Sequence, residues 1–309
     1  MKYIVTGGAG FIGSNIVDRL LIDGHKVVVI DNLCSEESRS RIESGKMQYW
    51  NSNSLVIIEE DIATMTDFSE FEDVDGIFHL AALPQVQPSI DNPIKYHATN
   101  VNGTLNMLFA CKTAKIKRFI FSSSSAVYGE NKTLPTSEYS ELKPLSPYSL
   151  HKLIGEQYCK LFEFLYDIEI YALRYFNVFG ERQPMSGPYS LVMGKFARQL
   201  LNGMPLTING DGEQRRDFVY VGDVVDANIE CMTRKHTKDN IINIGSGRNI
   251  SVNELANMLS KKAKRVYNPP VIEPRETLAN IKKAKTVLKW EPKIKLEDWI
   301  KTYKSKLAI

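Results

Sequence analysis

A glycine-rich loop near the start of the sequence is the feature that most restricts the fold. Residues 7–13 read GGAGFIG, and they stand directly between an apolar run of strand length, YIVT, and a pattern of helical period. Gly7 permits a tight turn, Gly10 removes a Cβ where a pyrophosphate would approach the backbone, and Gly13 lets the helix pack closely against the strand. The first N–H groups of that helix then face the phosphates with a partial positive charge. The loop therefore predicts a dinucleotide site.

Up to about residue 176, short apolar runs alternate with longer segments of helical period. Runs such as KVVVI and FIFS are apolar throughout, which is typical of parallel strands covered on both faces. The alternation predicts an α/β fold with a Rossmann-type, doubly wound parallel sheet. The predicted strands are Tyr3–Thr6, Lys26–Ile30, Val56–Glu59, Gly76–Leu80, Arg118–Ser122 and Glu169–Arg174, and the predicted helices are Phe11–Ile22, Ile94–Ala114 and Pro147–Tyr166.

An acidic residue at the end of the second predicted strand indicates which dinucleotide is bound. Asp31 stands 18 residues after Gly13, within the spacing of about 20 that such sites show. A carboxylate there accepts hydrogen bonds from the adenosine ribose and repels a 2′-phosphate, so it favours NAD over NADP. Asp61 and Ile62 follow the third predicted strand, where we expect them to meet the adenine.

After residue 176, glycine, proline and asparagine become frequent and the apolar runs shorten. We therefore predict an NAD-binding domain over residues 1–176 and a smaller C-terminal α/β lobe over residues 177–309. The lobe is expected to bind substrate, with some of its segments returning to the first domain. Its predicted helices are Leu191–Leu201, Val224–Met232, Val252–Lys262 and Lys295–Lys306.

A tyrosine and a lysine form a candidate catalytic pair. Tyr148 and Lys152 stand four residues apart at the start of a predicted helix and so share one face of it. A phenol with a pKa of about 10 is a poor base at neutral pH, but a nearby ammonium and the positive ring of oxidised nicotinamide would lower that pKa. Tyr148 would then remove a hydroxyl proton while hydride leaves the same carbon. The serines at Ser122–Ser125, which end the fifth predicted strand, support this interpretation.

Eight motifs, in this order, resemble those of the extended short-chain dehydrogenases/reductases, and more narrowly of the 4-epimerases of UDP-hexoses and UDP-N-acetylhexosamines. They are TGGAGFIG at Thr6–Gly13, DNL at Asp31–Leu33, EDI at Glu60–Ile62, HLAA at His79–Ala82, SSSSAVYG at Ser122–Gly129, YSLHK at Tyr148–Lys152, RYFNVFG at Arg174–Gly180 and NGDGEQRRDFVYVGDV at Asn209–Val224. The resemblance runs over nearly the whole chain, and it implies a UDP-sugar 4-epimerase that keeps NAD tightly bound.

The resemblance also implies the roles of individual residues. Tyr148 takes the proton from O4 of the sugar, Ser124 bridges O4 and the phenol, and Lys152 holds the nicotinamide ribose. Hydride passes from C4 to NAD⁺, the 4-keto sugar turns over, and hydride returns to the other face. The residues that the family pattern assigns to the cofactor are Gly7, Gly10, Phe11, Ile12, Gly13, Asp31, Asn32, Asp61, Ile62, Leu80, Ala81, Ala82, Asn100, Ser122, Tyr148, Lys152 and Tyr175.

Related activities on this fold remain alternatives. The 4,6-dehydratases and the UDP-glucuronate decarboxylases carry acidic residues directly after the catalytic serine or threonine. Here those positions are Ser125 and Ala126, which supply neither the acid nor the base that elimination of water needs. A regulator that binds NAD without catalysis is a further alternative, but such proteins typically lack the Tyr148 and Lys152 pair. The sequence therefore favours epimerisation.

Three polar residues match those that hold the UDP diphosphate in the family. They are Asn177, Arg216 and Arg275, and the planar guanidinium group suits a diphosphate. The segment around Arg275 is several residues shorter than is usual in the family.

The choice between plain and N-acetylated sugars depends on a residue beside C2 of the sugar. In the family a tyrosine there excludes N-acetylated substrates, whereas this chain has Thr277, which leaves room for an acetamido group. Gln183 and Ser125 are candidate contacts of that group. We expect UDP-N-acetylglucosamine and UDP-N-acetylgalactosamine as substrates, with UDP-glucose and UDP-galactose as secondary ones. A strict UDP-glucose 4-epimerase is the alternative.

Charge is distributed unevenly along the chain. Residues 261–309 hold 14 Lys or Arg and 5 Asp or Glu, against 39 and 36 in the whole sequence. Such a segment fits nucleic acid, an anionic membrane or an anionic substrate. Because no nucleic-acid-binding motif accompanies it, we expect a solvated surface, of which Arg275 faces the substrate, and no nucleic-acid partner.

Simple sequence features bear on location and assembly. The apolar runs are shorter than the roughly 20 residues of a membrane span, and the N-terminus has no secretory pattern, so we expect no membrane association. Four isolated cysteines suit buried free thiols in a cytoplasmic protein, and the five histidines lack metal-ligand spacing, so we expect no metal site. The family resemblance implies a homodimer, formed through the helices near Ile94–Ala114 and Pro147–Tyr166.

Overall fold

The structure is a computed structural model that describes residues 1–44, 47–50, 52–187 and 190–307. The strands in these ranges are β1 (Lys2–Thr6), β2 (Lys26–Asp31), β3 (Leu55–Glu59), β4 (Gly76–His79), β5 (Arg118–Ser124), β6 (Glu169–Tyr175), β7 (Asn177–Phe179), β8 (Leu206–Asn209), β9 (Arg215–Tyr220), β10 (Ile241–Ile244), β11 (Asn249–Ser251) and β12 (Arg265–Asn268). The α-helices are α1 (Phe11–Ile22), α2 (Glu36–Glu43), α3 (Val86–Asp91), α4 (Pro93–His97), α5 (Gly103–Thr113), α6 (Pro147–Tyr166), α7 (Val192–Leu201), α8 (Val221–Thr233), α9 (Val252–Leu259) and α10 (Leu296–Leu307).

The chain divides into two compact units, each built from separate segments. The first unit comprises Met1–Ser124, Ser146–Arg174 and Val225–Ile242, and the second comprises Ser125–Leu145, Tyr175–Val224 and Asn243–Ile309. A single cut after residue 176 would group two of these segments differently. The division into a cofactor-binding and a substrate-binding part therefore stays a prediction.

The first unit carries the sheet that the sequence predicts. Its seven strands follow the order β10-β6-β5-β4-β1-β2-β3, and the pairs from β5 across to β3 are parallel. The chain moves outward from β1 in both directions, so the order reverses between β1 and β4. Ligands of doubly wound sheets bind at the carboxyl ends of the strands at this reversal. The predicted α/β class is confirmed.

The boundaries of the predicted elements agree closely in the first unit. All six predicted strands are present, and α1 and α6 match their predicted ranges. The predicted helix over Ile94–Ala114 is α4 and α5 joined by a π-helical turn at Ala98–Asn102. Helix α2 was not predicted. In the second unit, α9 ends at Leu259 rather than at the predicted Lys262 because Ser260 has an extended backbone with φ −157°.

The second unit contains smaller sheets around its own core. Strand β9 pairs in parallel with β7 and antiparallel with β11, and β8 pairs in parallel with β12. Phe196, Leu206 and Trp299 are among the buried side chains of this core. The buried carboxylate of Asp217 accepts the N–H groups of Ser246 at 2.7 Å, and of Gly247 and Ala279 at 3.0 Å. It thereby ties β9 to two loops of the same unit.

The structure bears on three general expectations, those for the cysteines, the basic C-terminal segment and membrane spans. Cys111, Cys159 and Cys231 are buried but Cys34 is exposed, so the expectation of buried thiols is wrong for Cys34. Basic residues of the C-terminal segment form exposed ion pairs, such as Lys301 with Asp298 at 3.0 Å. Among the described residues, no helix is both long enough and apolar enough to cross a bilayer.

A buried ion pair holds α6 against the sheet of the first unit. Glu156 is fully buried and accepts two hydrogen bonds from the Arg174 guanidinium, at 2.9 and 2.7 Å. The Ser123 hydroxyl donates a third, at 2.5 Å. Because the charges of Glu156 and Arg174 are buried away from water, loss of either residue leaves the charge of the other one buried without a counter-charge.

We expect Glu156→Gln to lower the free energy of unfolding by about 3–5 kcal/mol, because it leaves the Arg174 charge buried without a counter-charge. The measurement is urea denaturation followed by circular dichroism. Gln157→Ala, at the next and exposed position of α6, is the control and should change stability by less than about 0.5 kcal/mol. A loss for Glu156→Gln as small as that of the control would contradict this account.

Candidate active site

The glycine loop packs so closely that side chains are excluded from it. Gly7 adopts φ +67°, its N–H donates to the Ile30 carbonyl at 2.8 Å, and the Gly10 N–H donates to the Gly7 carbonyl at 3.0 Å. A Cβ on Gly13 would lie 2.2 Å from the Gly7 oxygen, and one on Gly7 would lie 2.7 Å from the Ala81 nitrogen. The turn, helix α1 and the loop after β4 therefore meet through backbone atoms alone.

This loop fits the pyrophosphate of a dinucleotide. Helix α1 begins after Gly10, which offers no capping side chain, and Phe11 and Ile12 open a first turn without an acidic residue. The N–H groups of that turn and the partial positive charge of the helix end suit an anion. Close approach of a ligand to the backbone is possible because the glycines carry no Cβ.

The ends of β2 and β3 lie together beside the loop. The Asp31 carboxylate is buried and accepts the N–H groups of Ala9 at 3.0 Å and Leu33 at 2.9 Å. Burial raises the pKa of Asp31, and these two hydrogen bonds oppose the rise. The Asn32 amide donates to the Asp61 carboxylate at 3.3 Å. Three residues predicted to bind NAD, namely Asp31, Asn32 and Asp61, thus share one edge of the sheet, and Ile62, next to Asp61, is buried.

The loop after β4 is tied to its surroundings at both ends. The Leu80 N–H donates to the Thr6 carbonyl at 3.1 Å, and the Ala81 N–H donates to the Thr6 hydroxyl at 3.2 Å. The Asn100 side chain accepts the Leu83 N–H at 2.8 Å and donates to the Leu83 carbonyl at 3.0 Å. Asn100 was predicted to bind the cofactor, and the contact that the structure shows is this anchoring of Leu83.

The start of α6 is fixed by its own sequence. The Ser146 hydroxyl accepts the Ser149 N–H at 3.2 Å and the Ser149 hydroxyl accepts the Ser146 N–H at 3.0 Å, a reciprocal capping box, with Pro147 at the first helical position. The Tyr148 N–H donates to the buried Ser89 hydroxyl at 3.1 Å. The capping pattern S-P-Y-S was a signal in the sequence that our prediction did not use, whereas nothing in the sequence pointed to Ser89.

The structure brings the three predicted catalytic residues together. The Ser124 hydroxyl is hydrogen-bonded to the Tyr148 phenol. The Lys152 ammonium donates to the Ser122 carbonyl at 2.7 Å and lies over the Phe121 ring, 5.0 Å from its centroid. Burial lowers the pKa of Lys152 to about 8. Lys152 is buried and Ser124 and Tyr148 are half-buried, and all three lie where β5 meets α6.

The expected lowering of the Tyr148 pKa is not a property of the chain by itself. Burial raises the pKa of this phenol, and the hydrogen bond from Ser124 offsets only part of the rise. The expectation combined Lys152 with the positive nicotinamide ring of NAD⁺, and Lys152 is directed to Ser122. Of the chain's own groups, Ser124 opposes the rise in the pKa of Tyr148, and the effect of Lys152 together with bound NAD⁺ stays a prediction.

In the second unit, the two predicted diphosphate arginines are both held by carboxylates. Arg216 is buried, donates to the Arg215 carbonyl at 2.8 Å and pairs with Glu273 at 2.7 Å. Arg275 is exposed and binds both oxygens of Asp211, at 2.7 and 3.0 Å. The Arg275 carbonyl lies 3.4 Å from a guanidinium nitrogen of Arg216.

A cleft of about 660 Å³ in the second unit has Arg275 in its wall. Other lining residues are Glu130, Asp211, Gln214, Tyr267 and Glu273. The sequence did not identify the three carboxylates among them, because each contacts an arginine that is far away in the sequence. Glu130, for example, accepts the backbone N–H of Arg275 at 2.8 Å.

The remaining predicted residues of the second unit lie on different elements. Asn177 begins β7 and stands opposite Phe218 of β9. The Thr277 N–H donates to the Arg215 carbonyl at 3.0 Å. Ser125 lies in a 3₁₀ turn after β5, and Tyr175 ends β6. Gln183 is buried and follows β7.

We expect Gly13→Ala to abolish retention of NAD by the purified protein, because the added methyl would lie 2.2 Å from the Gly7 oxygen and displace the loop. The measurement is the NAD content of the protein after purification. Gly24→Ala, at the other end of α1, is the control. It is strained by φ +79° but meets no atom within 4 Å, so it should cost about 1–2 kcal/mol of stability and leave NAD bound. Equal loss of NAD in both variants would show that strain, not contact, is responsible.

Comparison with known proteins agrees with these features. The model of the NAD dependent epimerase/dehydratase family matches residues 3–245. A putative UDP-glucose 4-epimerase of Methanocaldococcus jannaschii is 40% identical over 304 residues, covering 96% of this chain and 95% of that protein.

Solved structures give the same picture. The UDP-N-acetylglucosamine 4-epimerase of Methanobrevibacter ruminantium M1, in complex with UDP-N-acetylmuramic acid, is 38% identical with a TM-score of 0.88, covering 99% and 98% of the two chains. The UDP-glucuronic acid 4-epimerase of Bacillus cereus, in complex with UDP-glucuronic acid and NAD, is 35% identical with a TM-score of 0.89, covering 100% and 99%. The resemblance read from the motifs is confirmed, and the chain belongs to the NAD dependent epimerase/dehydratase family, among its UDP-sugar 4-epimerases.

Proposed function

We propose that the protein interconverts UDP-N-acetylglucosamine and UDP-N-acetylgalactosamine by epimerisation at C4, with UDP-glucose and UDP-galactose as secondary substrates. The observation that carries this choice is the small side chain of Thr277. Its N–H donates to Arg215, and its hydroxyl lies 3.4 Å from the Asp217 nitrogen. Thr277 is therefore fixed beside the strand that bears Arg216, and a short side chain there leaves space for an acetamido group.

The residues of the first unit supply the acid–base chemistry of the reaction. NAD, when bound, would supply the acceptor for hydride from C4 and the donor that returns it. Tyr148 removes the proton from the hydroxyl on C4 and gives it back, and the Ser124 hydroxyl shares a hydrogen bond with the phenol, so it is placed to pass that proton or hold the sugar oxygen. Lys152, whose ammonium is held by the Ser122 carbonyl, provides the positive charge on this face.

The relatives support the general activity and leave the sugar open. Proteins of similar identity bear names for epimerases of UDP-glucose, UDP-N-acetylglucosamine and UDP-glucuronate. These sugars differ at C2 and C6, so the comparison of all three substrates is the direct test of the proposal. The predicted homodimer is supported by apolar side chains exposed on the outer face of α6, among them Leu161, Phe164 and Leu165.

We expect the highest kcat/KM on UDP-N-acetylglucosamine when the protein is assayed with all three UDP-sugars. Thr277→Tyr should lower kcat/KM on this substrate by at least roughly tenfold and spare UDP-glucose, because the added ring takes the place of the acetamido group. Thr277→Ser, which keeps a small side chain and the hydroxyl, is the matched control and should behave as the wild type. A wild-type preference for UDP-glucose or UDP-glucuronate would overturn the proposal.

We expect Tyr148→Phe to lower kcat by about 10²–10⁴-fold, the usual contribution of a positioned acid–base group. The variant keeps the aromatic ring and the N–H bond to Ser89, so its NAD content should be unchanged. Both quantities are measured on the same preparation, with UDP-N-acetylglucosamine as substrate. A rate that survives the substitution would remove Tyr148 as the base.

A further inference from the structure

A buried histidine outside the catalytic set lies at the centre of a hydrogen-bonded chain in the first unit. His79 ends β4, and its Nδ1 lies 2.8 Å from the Thr6 hydroxyl at the end of β1. Its Nε2 lies 3.0 Å from the Thr104 hydroxyl in α5. The ring is stacked at 20° on the Phe121 ring, with 5.9 Å between centroids. Both ring nitrogens of His79 are therefore engaged.

The direction of every bond in this chain follows from a count of protons. With the Thr104 hydroxyl donating its single proton to the backbone carbonyl of Asn100 at 2.8 Å, its oxygen accepts from His79, which assigns the hydrogen to Nε2. Nδ1 is then an acceptor, and it takes the proton of the Thr6 hydroxyl. The Thr6 oxygen is left as an acceptor for the Ala81 N–H, at 3.2 Å. Burial lowers the pKa of His79 to about 3, so the ring is neutral near pH 7.

The hydrogen-bonded chain ends at the segment Leu80–Leu83, whose backbone packs against the glycine loop. One end of the segment is held by Thr6, and the other end is held by the two bonds between Leu83 and Asn100. Ala81 stands where a Cβ on Gly7 would come within 2.7 Å of its nitrogen. The backbone of this segment is therefore placed, through His79, against the loop that fits the NAD pyrophosphate.

We propose that His79 is a positioning residue for NAD: through its Nε2–H tautomer it fixes Leu80–Leu83 against the glycine loop and so sets how tightly the dinucleotide is held. The inference rests on the NAD dependence of the family and not on the identity of the sugar. NAD affinity is measured without any UDP-sugar, so failure of this inference and failure of the proposed substrate are distinguishable.

The test compares NAD binding by four variants of the full chain, as NAD content after purification and as the Kd for added NAD. His79→Phe keeps the stacked ring and removes both bonds, and Thr6→Val removes the hydroxyl while keeping its shape. We expect the Kd for NAD to rise at least about tenfold in both. Thr6→Val leaves the Ala81 N–H without its acceptor, and His79→Phe leaves the Thr6 hydroxyl without its acceptor. Thr6→Ser restores the hydroxyl, and Ile4→Val trims the core of the same strand without a polar group; both should bind NAD as the wild type does.

Two results would overturn the proposal. One is wild-type NAD affinity in His79→Phe, and the other is equal weakening by Thr6→Ser and Thr6→Val. If His79→Phe does not fold, nitrogen NMR of the wild type labelled at histidine decides: a hydrogen on Nε2 of His79 supports the chain of bonds, and a hydrogen on Nδ1 contradicts it.

Discussion

The seam between strand β5 and helix α6 is the interaction on which the catalytic face depends. Three consecutive serines at the end of the strand bond three helix residues that are spaced four apart. The pairs are Ser122 with Lys152, Ser123 with Glu156, and Ser124 with Tyr148. Four-residue spacing places the helix members on one face, and the buried carboxylate of Glu156 fixes the register of that face. The phenol, the lysine and the serine hydroxyl are therefore positioned by the same contact between strand and helix.

The dinucleotide side of the first unit is built on a different principle. The glycine loop is held by close backbone packing: Gly7 and Gly13 lie so near to neighbouring backbone atoms that a Cβ would not fit. The facing wall, Leu80–Leu83, is held by directed hydrogen bonds that converge on Thr6 and Asn100. Close backbone packing fixes the distance between the glycine loop and Leu80–Leu83. The hydrogen-bonded chain through His79 fixes the orientation of Leu80–Leu83 toward the loop.

The sequence was a sufficient guide wherever the determinants are local. Helices α1 and α6 were predicted with their observed limits because both have an apolar pattern of helical period. Helix α2 was not predicted because the single apolar residue of EESRSRIE, Ile42, forms no apolar stripe. Pairings over long separations, such as β8 with β12, leave no local trace. For the same reason the carboxylates of Asp211 and Glu273, which hold the two arginines, were not anticipated, although the arginines themselves were named.

The chain passes between its two compact units five times, and one passage comes directly after Ser124, where the catalytic strand ends. Neither unit is a continuous stretch of sequence, so exchange of the C-terminal half would replace segments of both units. In such an architecture, replacement of individual side chains is the change that leaves both units intact. That mode of divergence suits a family in which similar chains bear names for epimerases of several different sugars.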